Sequence, residues 1–202
     1  VAARDRWAAK LGSDRYKIFI AGSTHPGEEE EVIRAFEILK QRYPKTKLIL
    51  APRHPERAED ALAVARQKFK AGLLSSDQFD QDVTVVDKIG ILFELYGTAV
   101  SAFVGGSFAD KGGQNILEPV SWGIPVQYGP HMEDFAEASD EFIELGIATQ
   151  VKDAESLGDA WVRIMQASDH DNGENFRKIS AGYFERCSGS SLKTWERIYQ
   201  YY

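Results

Sequence analysis

Residues 16–53 read Y-K-I-F-I-A-G-S-T-H-P-G-E-E-E-E-V-I-R-A-F-E-I-L-K-Q-R-Y-P-K-T-K-L-I-L-A-P-R. Two apolar runs, Tyr16–Ala21 and Lys47–Ala51, flank Glu28–Arg42, where Val32, Phe36 and Leu39 lie on one side of a helix and Arg34, Glu37 and Lys40 elsewhere around it. Strands that are apolar almost throughout are covered on both faces, and such strands alternating with helices form a parallel sheet. The pattern continues outward. Asp82–Val86, Ala99–Val104, Pro125–Tyr128 and Ala148–Val151 read as further strands. Glu56–Lys70, Ile89–Tyr96, Asn115–Trp122, Glu133–Leu145, Glu155–Gln166 and the stretch from Glu174 onward read as helices. The expected fold is α/β: a Rossmann-like, doubly wound parallel sheet of about six strands, with residues 1–202 as a single domain.

The 202 residues are 43% hydrophobic, enough for a core without staples, and the net charge of −7 argues against non-specific nucleic-acid binding. Asp and Glu are spread along the chain and read as solvated surface. The single cysteine, Cys187, excludes an internal disulfide and reads as an inert, buried thiol. Four histidines and that cysteine show no metal-ligand spacing, so neither a metal nor a cofactor is expected. No apolar run approaches a membrane span and no signal peptide is visible, so this part of the chain is expected to be soluble. The opening V-A-A-R-D-R-W-A-A-K-L-G reads as a helix running into a turn at Gly12-Ser13, and a start at Val1 suggests a piece of a longer protein.

In parallel α/β sheets ligands sit beyond the carboxyl ends of the strands. Polar residues and glycines gather in those places: G-S-T-H-P-G-E after the first strand, P-R-H-P-E-R after the second, D-K-I-G after the third and a Gly-rich stretch from Val104 to Pro130 after the fourth. The first lacks the G-x-G-x-x-G spacing, which argues against NAD, and Ser23 and Thr24 there also fit a helix cap. Pro52 and Pro55 stiffen the second, where Arg53 could grip a phosphate or lie on the surface as an ordinary loop residue. His54 reads as an acid–base group or a solvated loop side chain. Gly105 and Gly106 could let backbone donors approach a phosphate, or only allow close packing. Asn115 and Glu118 have the spacing of a capping box. Pro119 favours the other reading, a helix starting after Glu118, with Asn115 and Glu118 left to face a ligand and Glu118 accepting from ribose hydroxyls.

With these residues in place, the chain resembles the C-terminal domain of the bacterial 3-deoxy-D-manno-octulosonic acid (Kdo) transferases. The matching elements are A-G-S-T-H-P-G-E-E, P-R-H-P-E-R, V-D-K-I-G-I-L-F-E-L-Y, V-G-G-S-F and G-G-Q-N-I-L-E-P with W-G-I-P-V-Q-Y-G-P, in order from Ala21 to Pro130. Family members often read G-G-H-N-P-L-E-P, so Gln114 and Ile116 depart from the common form while Asn115, Glu118 and Pro119 keep it.

The resemblance implies the donor-binding half of a GT-B glycosyltransferase in lipopolysaccharide biosynthesis, which moves Kdo from CMP-Kdo to lipid A precursor. It implies contacts to CMP from Pro52 and Arg53, a nucleotide pocket of Ile89, Gly90 and Ile91, and a phosphate–ribose site at Asn115, Ile116, Leu117 and Glu118, with Gly105 and Gly106 beside it. Reaction in this family is inverting and metal-independent, with a carboxylate base in the N-terminal domain. No match to that domain is present, so no catalytic residue is expected here and the fragment should bind CMP without transferring sugar. The acceptor and contact with the cytoplasmic face of the inner membrane are assigned by the same reasoning to the full-length protein. Trp195, Ile198, Tyr199, Tyr201 and Tyr202 make the last helix aromatic, a face for the missing domain or for this one. Two other functions stay open: a different GT-B enzyme using a UDP-sugar, or a non-enzymatic phosphate-binding module.

Overall fold

The computed structural model describes residues 2–171 and 173–199, with their side chains apart from those of 2, 168–171 and 188–199. A first helix, α1 (Ala2–Leu11), turns at Gly12 into β1 (Lys17–Thr24), α2 (Glu28–Arg42) and β2 (Thr46–Pro52). A short 3₁₀ turn leads to α3 (Ala58–Arg66), β3 (Ala71–Leu73), β4 (Val83–Val85), α4 (Leu92–Tyr96) and β5 (Ser101–Val104). The Gly-rich stretch carries α5 (Leu117–Ser121) and β6 (Val126–Tyr128), followed by α6 (Ala136–Glu144), β7 (Ala148–Gln150), α7 (Ala154–Asp171) and α8 (Glu174–Tyr199).

The strands form one sheet of seven in the order β3-β4-β2-β1-β5-β6-β7, and every described pairing is parallel. The seventh strand beyond the expected six is β3, whose three residues pair Ala71 with Val83 at the sheet edge. Three half-buried residues, one of them glycine, give no apolar run for the sequence to announce. β1 lies at the centre and shows why the fold is doubly wound. Phe19 and Ala21 point into a core with Val32 and Phe36 of α2, Leu62 of α3 and Trp161 of α7. Ile18 and Ile20 point the other way, to Leu11, Tyr96, Val120, Phe142 and Tyr183 from α1, α4, α5, α6 and α8. Full burial of side chains this large contributes about 1.5–3 kcal/mol each.

Two helix starts differ from expectation, each for a backbone reason. The third post-strand helix begins at Leu92 rather than Ile89, because Gly90 has φ +82°, outside the right-handed helical region. Residues 117–121 start before Pro119 rather than after Glu118, with the proline in the first turn where no intrahelical N–H is needed. Cys187 is exposed rather than buried, since it faces outward from α8. Among the described residues no helix is long and apolar enough to cross a membrane. The side chains of Trp195, Ile198 and Tyr199, and the whole of Tyr201 and Tyr202, lie outside the described residues.

Candidate functional site

The carboxyl ends of β1, β2 and β4 open on a cleft of about 300 Å³. Ser23 comes from the end of β1, Pro52, Arg53 and His54 from the end of β2, and Lys88, Ile89 and Gly90 from the segment after β4. Arg53 is fixed by its backbone, whose N–H donates to the Thr24 carbonyl at 2.9 Å. Its exposed guanidinium has no carboxylate partner among the described residues. Ile89 is 84% exposed, far more than Phe93 or Ile143. An apolar wall beside a free fork of donors suits a planar base joined to an anion.

The floor of this region is tight. A Cβ on Gly22 would overlap the Tyr96 hydroxyl and press on Leu92, so β1 and α4 approach as closely as a glycine permits. Burial, and then the nearby Glu118 charge, push the Tyr96 phenol well above its usual range. Glu118 is therefore close to the buried ring that underlies Gly22. Its carboxylate accepts from Asn115 Nδ2 at 3.3 Å, while Asn115 Oδ1 accepts from the Leu117 N–H at 3.0 Å. Asn115, just before the N-cap residue Ile116, thus both satisfies the first N–H of the helix and holds the glutamate.

A second carboxylate organises the Gly-rich loop from inside. Glu28, at the first turn of α2, is buried, and its Oε1 accepts from the N–H groups of Ser107 (3.0 Å), Phe108 (2.9 Å) and Ala109 (3.3 Å). Its Oε2 accepts from Gly106 and from His25, both at 2.8 Å. Converging backbone donors of this kind make an anion cradle, and here the anion is part of the chain. Beside it, buried Glu29 accepts from Thr24 Oγ1 at 3.0 Å and pairs with Arg57 at 2.9 Å, tying β1, α2 and the turn after β2 together.

No protein-family model matches the chain. The 3-deoxy-D-manno-octulosonic acid transferase of Aquifex aeolicus is 36% identical over 172 residues, 84% of this chain and 48% of that protein. The enzyme of the same name from Haemophilus influenzae is 35% identical over 170 residues, 82% of this chain and 39% of its own length. Among solved structures, the C-terminal CMP-Kdo binding domain of WaaA from Acinetobacter baumannii matches with a TM-score of 0.81 and 25% identity, over 90% of this chain and 95% of that one. The chain belongs to the Kdo transferase family. It spans about half the length, or less, of the curated relatives it matches, and corresponds to the C-terminal domain of the GT-B fold.

Within this Kdo transferase domain the residues singled out from sequence fall into three groups. Pro52, Arg53, Ile89 and Gly90 line one cleft, with half-buried Ile91 next to them. Asn115 and Glu118 are hydrogen-bonded to each other, with Glu118 near Tyr96. Ile116 is fully buried in the core, so only its backbone is available to a ligand, while half-buried Leu117 packs against that core. Gly105 and Gly106 donate inside the protein, to Gly22 and to Glu28. Glu28, Glu29, Arg57 and Tyr96 were not singled out. A run of four acids at a helix start reads as dipole-compensating surface, and only its position opposite a Gly-rich loop hints that two of them turn inward. Three groups also meet without any sequence spacing to announce them: ligand atoms of Asp110, His131 and Glu133 lie within 4.8 Å of one another on the surface.

Proposed function

We propose that the chain is the donor-binding part of an enzyme that moves Kdo from CMP-Kdo to lipid A precursor, in lipopolysaccharide biosynthesis at the cytoplasmic face of the inner membrane. The likeness to a CMP-Kdo binding domain at a TM-score of 0.81 over 95% of its length carries this reading. The free Arg53 fork beside the exposed Ile89 wall supports it. In this reading Pro52 and Arg53 meet the CMP phosphate, and Ile89, Gly90 and Ile91 line the base pocket. Asn115 aims Glu118 at the ribose hydroxyls. The guanidinium would steady the charge that grows on CMP as it leaves. Residues 1–202 act as one donor domain, and the acceptor, the proton-accepting carboxylate and the membrane contact belong to the rest of the full-length protein.

Thermal-shift titration tests this. CMP should raise the melting temperature by linkage, and UDP should do so far less. Equal or stronger stabilisation by UDP would overturn the choice of nucleotide. Transfer of Kdo to a lipid A precursor by residues 1–202 alone would overturn the division of labour.

A further inference from the structure

At the opposite, amino end of the sheet lies a larger hollow, of about 530 Å³. It forms where the loop before β1 meets the loop between α2 and β2, since the Lys17 N–H donates to the Lys45 carbonyl at 3.0 Å. Tyr16, Tyr43 and the buried thioether of Met165 supply apolar walls. Lys17, Arg42, Lys45 and Arg15 supply four cations, against one lining acid, Asp14, which sits 3.8 Å from Arg15. Lys17, Arg42 and Lys45 have no carboxylate partner among the described residues.

Such crowding of positive charge is unusual in a chain of net charge −7, and the one lining acid, Asp14, offsets only part of the repulsion. One of these cations, Arg15, also acts on Lys47, which is buried with its Nζ 4.3 Å from the centre of the Tyr16 ring. Burial first, and then the Arg15 charge, hold that ammonium below the usual lysine range, against the raising influence of Asp80 and Asp82. Ser13, another lining residue, has a buried Oγ with no hydrogen-bond partner. An unpaired hydroxyl, three free cations and two aromatic walls around one hollow have the chemistry of an anion site with an apolar side.

We propose that this hollow is a second ligand site, taking a phosphate ester whose phosphate meets Arg42, Lys45 and Lys17 while its apolar or aromatic body lies against Tyr16 and Tyr43. A soluble phosphate ester and the headgroup of an anionic lipid share that chemistry. The site stands independently of the donor cleft, at the other end of the strands.

The test uses residues 1–202 and the doubly substituted Arg42→Ala, Lys45→Ala chain. Both residues are exposed, so the melting temperature should hold. Phenyl phosphate is titrated by NMR, and vesicles of phosphatidylglycerol or of phosphatidylcholine alone are tested by co-sedimentation. The expected result is shifts at Tyr16, Tyr43 and the Met165 methyl with phenyl phosphate, or sedimentation with the anionic vesicles only. Either should weaken at least about tenfold in the variant, the scale of losing a charge-assisted hydrogen bond. The first outcome assigns a soluble ester and the second a lipid headgroup. Failure of both probes, shifts confined to the Ile89 cleft, equal binding to neutral vesicles, or binding that survives loss of both cations would overturn the proposal.

Discussion

After β5, the N–H groups of Gly106, Ser107, Phe108 and Ala109 converge on the Glu28 carboxylate, whereas after β2 and β4 the Arg53 guanidinium and the Ile89 side chain converge on open space. Both regions sit at the carboxyl edge of one sheet, and both contain the glycines and polar residues associated with phosphate binding. They differ in whether the chain provides its own partner. A polar group satisfied inside the protein holds the frame, and one kept free marks where a ligand would be held.

Substitutions should separate the two regions by what they damage. The largest effect is expected at Glu28, where Ala would leave five backbone donors without their acceptor. Loss of at least about 3 kcal/mol in urea denaturation, or failure to fold, is expected. A stable Glu28→Ala chain that only binds CMP less well would move the loop into the ligand-facing class. Arg53→Ala should do the reverse, lowering CMP affinity by about 1.5–3 kcal/mol in calorimetry while leaving the melting curve unchanged. Gly105→Ala returns to the frame: its Cβ would overlap the Ser23 carbonyl oxygen and the Thr24 Cα, a strain of about 1–3 kcal/mol in stability. Ile89→Ala should cost about 1 kcal/mol of CMP affinity and no stability, because the side chain is already exposed.

The smallest effect concerns pH. Burial lowers the His25 pKa below the ordinary value near 6.5, despite the raising influence of Glu28. The unfolded chain therefore binds a proton more readily than the folded one, and stability contributed by neutral His25 declines as pH falls below about 6.5. His25→Gln should flatten that decline in melting temperature. An unchanged slope would remove His25 from the frame.

Much of this was legible in advance, for identifiable reasons. Tyr16–Arg53 announced strand, helix and strand because parallel strands buried on both faces are apolar throughout, and Glu28–Arg42 matched its helix residue for residue. β3 was invisible because a three-residue edge strand needs no apolar run. That the segments holding Pro52, Arg53, Ile89 and Gly90 lie at one sheet edge followed from the rule that ligands sit beyond strand ends, and the choice of these residues within them from the family resemblance. The roles of Glu28 and Glu29 did not, since a carboxylate turned toward solvent and one turned toward backbone donors look the same in a run of four. Only the pairing of β1 with β5, which sets Gly22 opposite Val104, brings the acid to the loop.

That clamp has a kinetic side. Glu28 and its donor loop are 78 to 81 positions apart in the chain, so the loop finds its shape only after the two central strands have come together. Opening it again means exposing a carboxylate and four amides at once, close to the middle of the sheet. The N–H groups of Gly106, Ser107 and Phe108 should accordingly exchange with solvent deuterium about as slowly as those of β1 itself, on the timescale of global unfolding, and not at the rate of a surface turn.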